Sequence, residues 1–161
     1  AELAAARTGR SRYPESPNIR AMELRALAAL GRLDSLRSAL AEVEAMTPTP
    51  GRAPIPGILA TVAQELDAHG HADAAREAYR RVVAVASVRA VDERQPPAHR
   101  HERARALYLL GDHAAAAPLC AALAAERPDD PRSVACPGIV AARRGDVAGA
   151  RPLADRLTET A

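Results

Sequence analysis

Histidine and cysteine are the side chains best suited to chemistry near neutral pH, and this sequence carries five of the first and two of the second. Four of the histidines form close pairs, His69-Gly-His71 and His99-Arg-His101, which invites a metal-site hypothesis. Coordination needs ligand atoms about 2 Å from one ion. The pairs instead fall at opposite ends of a predicted helical hairpin, and a thirteen-residue helix is about 20 Å long. They read as solvated turn residues. Cys120 and Cys136 lie on successive predicted helices that could touch, yet two cysteines in a chain of 161 residues make no disulfide framework and no C-x-x-C zinc pair. The favoured expectation is buried thiols acting as small hydrophobes in a reducing cytoplasm, with a disulfide or redox role as the alternative. Serine is sparse and no G-x-S-x-G elbow occurs. Every basic residue is Arg, so the lysine of a phosphate-binding loop is missing. Arg80-Arg81 and Arg143-Arg144 read as solvated helix faces or dipole partners near helix C-termini. These residues predict no catalytic site, no metal and no cofactor.

What remains is recognition by a surface, and the surface depends on the helices that present it. The stretch beginning Gly111-Asp-His-Ala-Ala-Ala-Ala-Pro-Leu returns as Gly145-Asp-Val-Ala-Gly-Ala-Arg-Pro-Leu153, an internal repeat. Such self-similarity marks a supersecondary module that buries its apolar face only by stacking on its neighbours. Aromatic residues are 2% of the chain, three Tyr with no Phe or Trp, so a core must come from Ala, Leu and Val on closely packed helices.

Residues 1–12 read as a helix stopped by Tyr13-Pro14. Met22, Leu24, Leu27 and Leu30 mark a second helix, and Leu33, Leu36, Leu40 and Val43 follow at helical spacing. Proline-rich segments at 47–56 and 91–97 read as linkers. The predicted plan is one domain, 1–161, with a partial repeat at 1–14 and hairpins at 17–47, 56–90, 97–128 and 131–161. The β-branched tail Val82–Val88 is assigned to helix by continuity. Asp73, or the turn before it, is expected to cap the return helix of the second hairpin. Pro118 and Pro152 are expected in distorted early turns, where a missing N–H costs least. The chain begins Ala1-Glu-Leu without Met, so it is expected to be a piece of a longer protein.

Aligned on Gly31, Gly70, Gly111 and Gly145, the chain resembles the tetratricopeptide repeat family. The positions five after each glycine are Leu36, Ala75, Ala116 and Ala150; those nine after are Leu40, Tyr79, Cys120 and Ala154; those twelve after are Val43, Val82, Leu123 and Leu157. Pro48 and Pro128 stand at plus seventeen, and Ala-Pro-Leu-Cys120 is similar to the repeats of kinesin light chains and related bacterial proteins. Leu36 and Ser87 depart from the pattern, standing where a small residue and a proline are expected. The resemblance implies an all-α fold, a right-handed α-solenoid of antiparallel helix hairpins. It also implies that an extended peptide or partner protein binds in a concave groove lined by the first helix of each pair.

Counting back from each turn glycine within that frame places Arg25, Gln64, Asp67, His101, Arg105, Tyr108 and Ile139 on the groove, with Ala28 and Ala142 between them. Two guanidiniums, an amide, a phenol and an apolar end suit an extended acidic or mixed segment. A net charge of +2 gives no reason to invoke nucleic acid or an anionic membrane. No apolar run approaches the roughly 20 residues of a membrane span, and the expected location is cytoplasmic. The expected function is a protein-interaction module whose partner is a protein, a peptide or another domain of the same chain. The alternative is a helical sensory segment of a larger bacterial signalling protein.

Overall fold

A computed structural model describes residues 1–45, 55–88 and 97–159. Among these every regular element is an α-helix: α1 Glu2–Arg12, α2 Pro17–Ala29, α3 Leu33–Glu44, α4 Ile55–Ala68, α5 Ala72–Val88, α6 Pro97–Leu109, α7 His113–Glu126, α8 Pro131–Arg143 and α9 Val147–Glu159. The chain divides into two compact units, Ala1–Val82 and Val83–Ala161. Most of both expected linkers lies outside the described residues. The first is shorter than expected, because α4 already begins at Ile55 and takes buried Pro56 into its first turn. Proline is tolerated there because the N–H it lacks would have no intrahelical partner.

Four of the inter-helix turns are built alike. Gly31, Gly70, Gly111 and Gly145 have φ of 64°, 80°, 86° and 78°, the left-handed region that glycine enters without a Cβ penalty. In each, the glycine N–H and the next N–H reach back into the helix just ended: Gly31 to Ala28 O and Arg32 to Leu27 O, with the same pattern at Gly70–His71, Gly111–Asp112 and Gly145–Asp146. This is the Schellman closure, which satisfies carbonyls that a helix end leaves unpaired. The residue after each glycine then opens the next helix. Asp112 and Asp146 cap α7 and α9 through Ala115 N–H at 3.1 Å and Gly149 N–H at 2.8 Å. Asp73 lies inside the first turn of α5, where its charge complements the helix dipole, and His71 stands at the turn itself.

In unit one α1 packs on α2, and α2 packs on α3 and α4. Its core is Leu24, Leu27, Leu36, Leu40, Val43, Leu59, Val62, Leu66, Tyr79 and Val82. A buried carboxylate joins the layers. Glu23 on α2 accepts from Arg10 at 2.9 Å and Arg7 at 3.4 Å, both on α1. In unit two α6 packs on α7 and α8, α7 on α8, and α8 on α9. Leu107, Ala116, Cys120, Leu123, Cys136 and Val140 form its core. The aligned repeat positions through α7 are all buried, whereas Ala150, Ala154 and Leu157 on α9 are exposed or half-buried.

Two expectations are corrected here. Cys120 and Cys136 are not free thiols: they form a disulfide joining α7 to α8, with their Cα atoms 5.1 Å apart. The step from free thiols to a reducing compartment loses its premise. Pro118 and Pro152 stand sixth in their helices, in the second turn. Each therefore deprives a carbonyl, Ala114 O or Ala148 O, of its i+4 donor. Both alanines are exposed, so water can take the donor's place.

Candidate functional site

Four of the seven forecast groove residues meet in one place, a cleft of about 520 Å³ between α6 and α8 in unit two. The period of the helix explains the convergence. On α6 His101 stands four residues and Glu102 three before Arg105, and Tyr108 three after it, so all four line one side of the helix. Arg132, Cys136 and Ile139 do the same on α8, and Arg127 with Asp130 close one end at the turn between α7 and α8. The size falls in the range of small-ligand and peptide-side-chain pockets.

Electrostatics divide the lining into groups that are matched internally and groups that are not. Asp130 caps α8 by accepting from Arg132 N–H at 3.1 Å and from Ser133 Oγ at 3.2 Å, and it lies 3.6 Å from Arg127 Nε. Desolvation alone would raise the Asp130 carboxyl, but the Arg132 N–H, the Ser133 hydroxyl and the Arg127 charge outweigh it and hold it below its ordinary value. His101 Nε2 is 3.0 Å from Ser133 Oγ. Because that hydroxyl donates to Asp130, His101 donates to the hydroxyl through Nε2–H. Burial is the main cause that lowers the His101 pKa; Asp130 opposes it, and Arg132, Arg127 and Arg100 reinforce it. The ring is neutral at pH 7.

A Ser, a His and an Asp in contact raise the question of nucleophilic chemistry. Their order does not suit it, since the carboxylate takes the serine proton and no carboxylate orients the imidazole. Ser133 is also fully buried. The trio ties α6 to the start of α8.

Three groups stay unmatched. Arg105 and Arg132 reach no carboxylate at ion-pair distance among the described residues. Glu102 Oε2 is buried without a hydrogen-bond partner. Burial pushes the Glu102 carboxyl above its ordinary value, with Arg105 and Arg132 pulling weakly the other way. Neither Glu102 nor Arg132 was singled out from the sequence. Glu102 was legible in part, being three residues before Arg105, but its burial depends on how α6 meets α8.

The three other forecast residues lie in unit one and do not form an open site. Arg25 gives both Nε and Nη2 to Glu65 Oε1, at 2.9 and 2.7 Å, which ties α2 to α4 and neutralises the cation. Gln64 turns its amide back to Ala60 O at 3.0 Å, and Asp67 is exposed. Among the described residues no group of three or more His, Cys, Asp or Glu side chains could hold a metal ion, and no helix is long and apolar enough to cross a membrane. In comparisons with known proteins no family model matches the chain, and no curated protein or solved structure matches it.

Proposed function

We propose that this chain is a non-catalytic interaction module of tetratricopeptide-repeat type, a right-handed α-solenoid of antiparallel helix hairpins, and that it binds an extended segment of a partner protein. The repeat reading is supported by the four turns of identical hydrogen bonding and by the shared burial of the aligned positions through α7. The binding reading is carried by one observation. In the cleft of unit two, Arg105 and Arg132 are free of carboxylate partners, while Arg25 in unit one is already paired with Glu65. A guanidinium held in a recess and left unneutralised is suited to an acidic side chain or a main-chain carbonyl from outside.

The experiment is selection from a phage-displayed library of random dodecamers against the whole chain, followed by re-assay on three variants of matched melting temperature. Arg105→Glu and Arg132→Glu should each lose the selected peptides, with affinity falling about tenfold or more. Arg25→Glu should leave binding within about twofold. Selected peptides that ignore Arg105 and Arg132 would remove the cleft from consideration, and failure to select any peptide would remove the function.

A further inference from the structure

The cleft holds one demand that an acidic ligand alone leaves unmet. Glu102 lies a single helical turn before Arg105 on the cleft wall; its Oε2 is buried with no donor, and its Oε1, which is not buried, meets no hydrogen bond or ion pair among the described residues and is the oxygen a ligand can reach. A buried acceptor without a partner forfeits a hydrogen bond to water and recovers nothing in exchange. Arg105 and Arg132 stand closest to it electrostatically, but neither closes to ion-pair distance. His101 is occupied by Ser133, and Arg127 and Asp130 face each other. The empty cleft therefore asks for two things at once: an acceptor for its guanidiniums and a donor, best a charged one, for Glu102.

We infer that the cleft recognises an extended segment bearing opposite charges two residues apart, its Asp or Glu seated on Arg105 and Arg132 and its Lys or Arg seated on Glu102. The inference rests on the proposed peptide-binding function. Spacing supports it independently of charge. Side chains three apart on a helix have Cβ atoms about 5–6 Å from each other, so Glu102 and Arg105 root opposite charges on one face of α6 at that spacing. In an extended strand the side chains at i and i+2 point the same way and are ~6.6 Å apart. Neighbouring residues of a strand point to opposite faces and cannot address both groups. Tyr108 and Ile139, farther along the cleft, offer apolar area to the residues that follow.

The test is fluorescence anisotropy of the whole chain with four labelled peptides, acetylated and amidated at their ends and identical except for Glu-x-Lys, Glu-x-Gln, Gln-x-Lys or Gln-x-Gln at the centre. Glu-x-Lys should bind about tenfold more tightly than either singly charged peptide, the worth of one charge-assisted hydrogen bond. Glu102→Gln, which keeps the shape of the side chain, should erase the advantage of Lys and keep that of Glu. Arg105→Gln with Arg132→Gln should do the reverse. If Glu-x-Lys and Glu-x-Gln bind the unaltered chain equally, the paired-charge inference is wrong and peptide binding survives. If none of the four binds, both fall. The peptide substitutions read the same question on unaltered protein, so a variant that melts early does not decide the outcome.

Discussion

Glu102 illustrates how a single side chain can weaken a fold while equipping a site. Its carboxyl is held above the ordinary value of 4.5, with burial as the leading cause. As pH rises through that value the unfolded chain ionises first, while the folded chain keeps its proton. Stability contributed at this position therefore falls with rising pH until the folded carboxyl ionises too. Glu102→Gln removes the penalty. The variant should exceed the parent by about 1 kcal/mol at pH 7, and the difference should shrink towards zero at pH 4 and below. Urea midpoints at the two pH values measure it, and other carboxylates cancel in the comparison. A variant less stable than its parent at pH 7 would mean that Glu102 has a partner in the free protein. Sequence reasoning reached His101, Arg105, Tyr108 and Ile139 because a helical period places them on one face. It missed Arg132 because it counted back three, six and ten residues from the turn glycines, and Arg132 stands thirteen before Gly145, in the first turn of α8. It took Arg25 for an open cation because its partner, Glu65, is 40 residues away and meets it only when α2 packs on α4.

At the level of the element, the turns were the most legible feature, since each is defined by local backbone chemistry around one glycine. What the sequence hid was the surroundings of each turn. A Cβ at Gly111 or Gly145 would meet nothing within 4 Å, whereas one at Gly31 would lie 2.9 Å from the imidazole of His71. Replacing any of the four by Ala should cost about 1 kcal/mol or somewhat more from backbone strain alone. Gly31→Ala should carry an added cost that the others lack. In a double-mutant cycle with His71→Ala, a coupling of about 0.5 kcal/mol or more should appear at Gly31, and the two losses should not simply add. Strict additivity would show that the ring swings aside freely. The disulfide stood only as the alternative for a related reason. Spacing of sixteen along the chain says little, whereas the packing of α7 on α8 brings two buried cysteines face to face. The capping aspartates Asp112 and Asp146 were visible as part of the repeat, and both hold the N–H three residues on.

For the whole molecule, the sequence reading of a helical chain with a small-residue core matches the described residues, because Ala, Leu and Val at helical spacing leave little other choice. The division into two compact units was not legible. It falls at Val82–Val83, inside one continuous helix, where no change of composition marks it. The units differ in how they are secured. Unit one relies on Leu and Val packing and on the buried Glu23 with its two arginines, and unit two carries the Cys120–Cys136 bond. A cross-link closing a loop of this size restricts the unfolded chain by about 3 kcal/mol in the chain-entropy description. Reduction should then act on one unit only. With excess dithiothreitol, hydrogen exchange should accelerate at the core amides of α7 and α8, including Leu123 and Val140. Leu27 on α2 and Val62 on α4 should keep their protection. Cys120→Ala with Cys136→Ala should reproduce the effect without reductant, less a cavity cost for the lost sulfurs. Equal acceleration in both units would show that they open as one cooperative block, and the absence of any change would show that packing around Leu107 and Leu123 holds α7 to α8 without the bond.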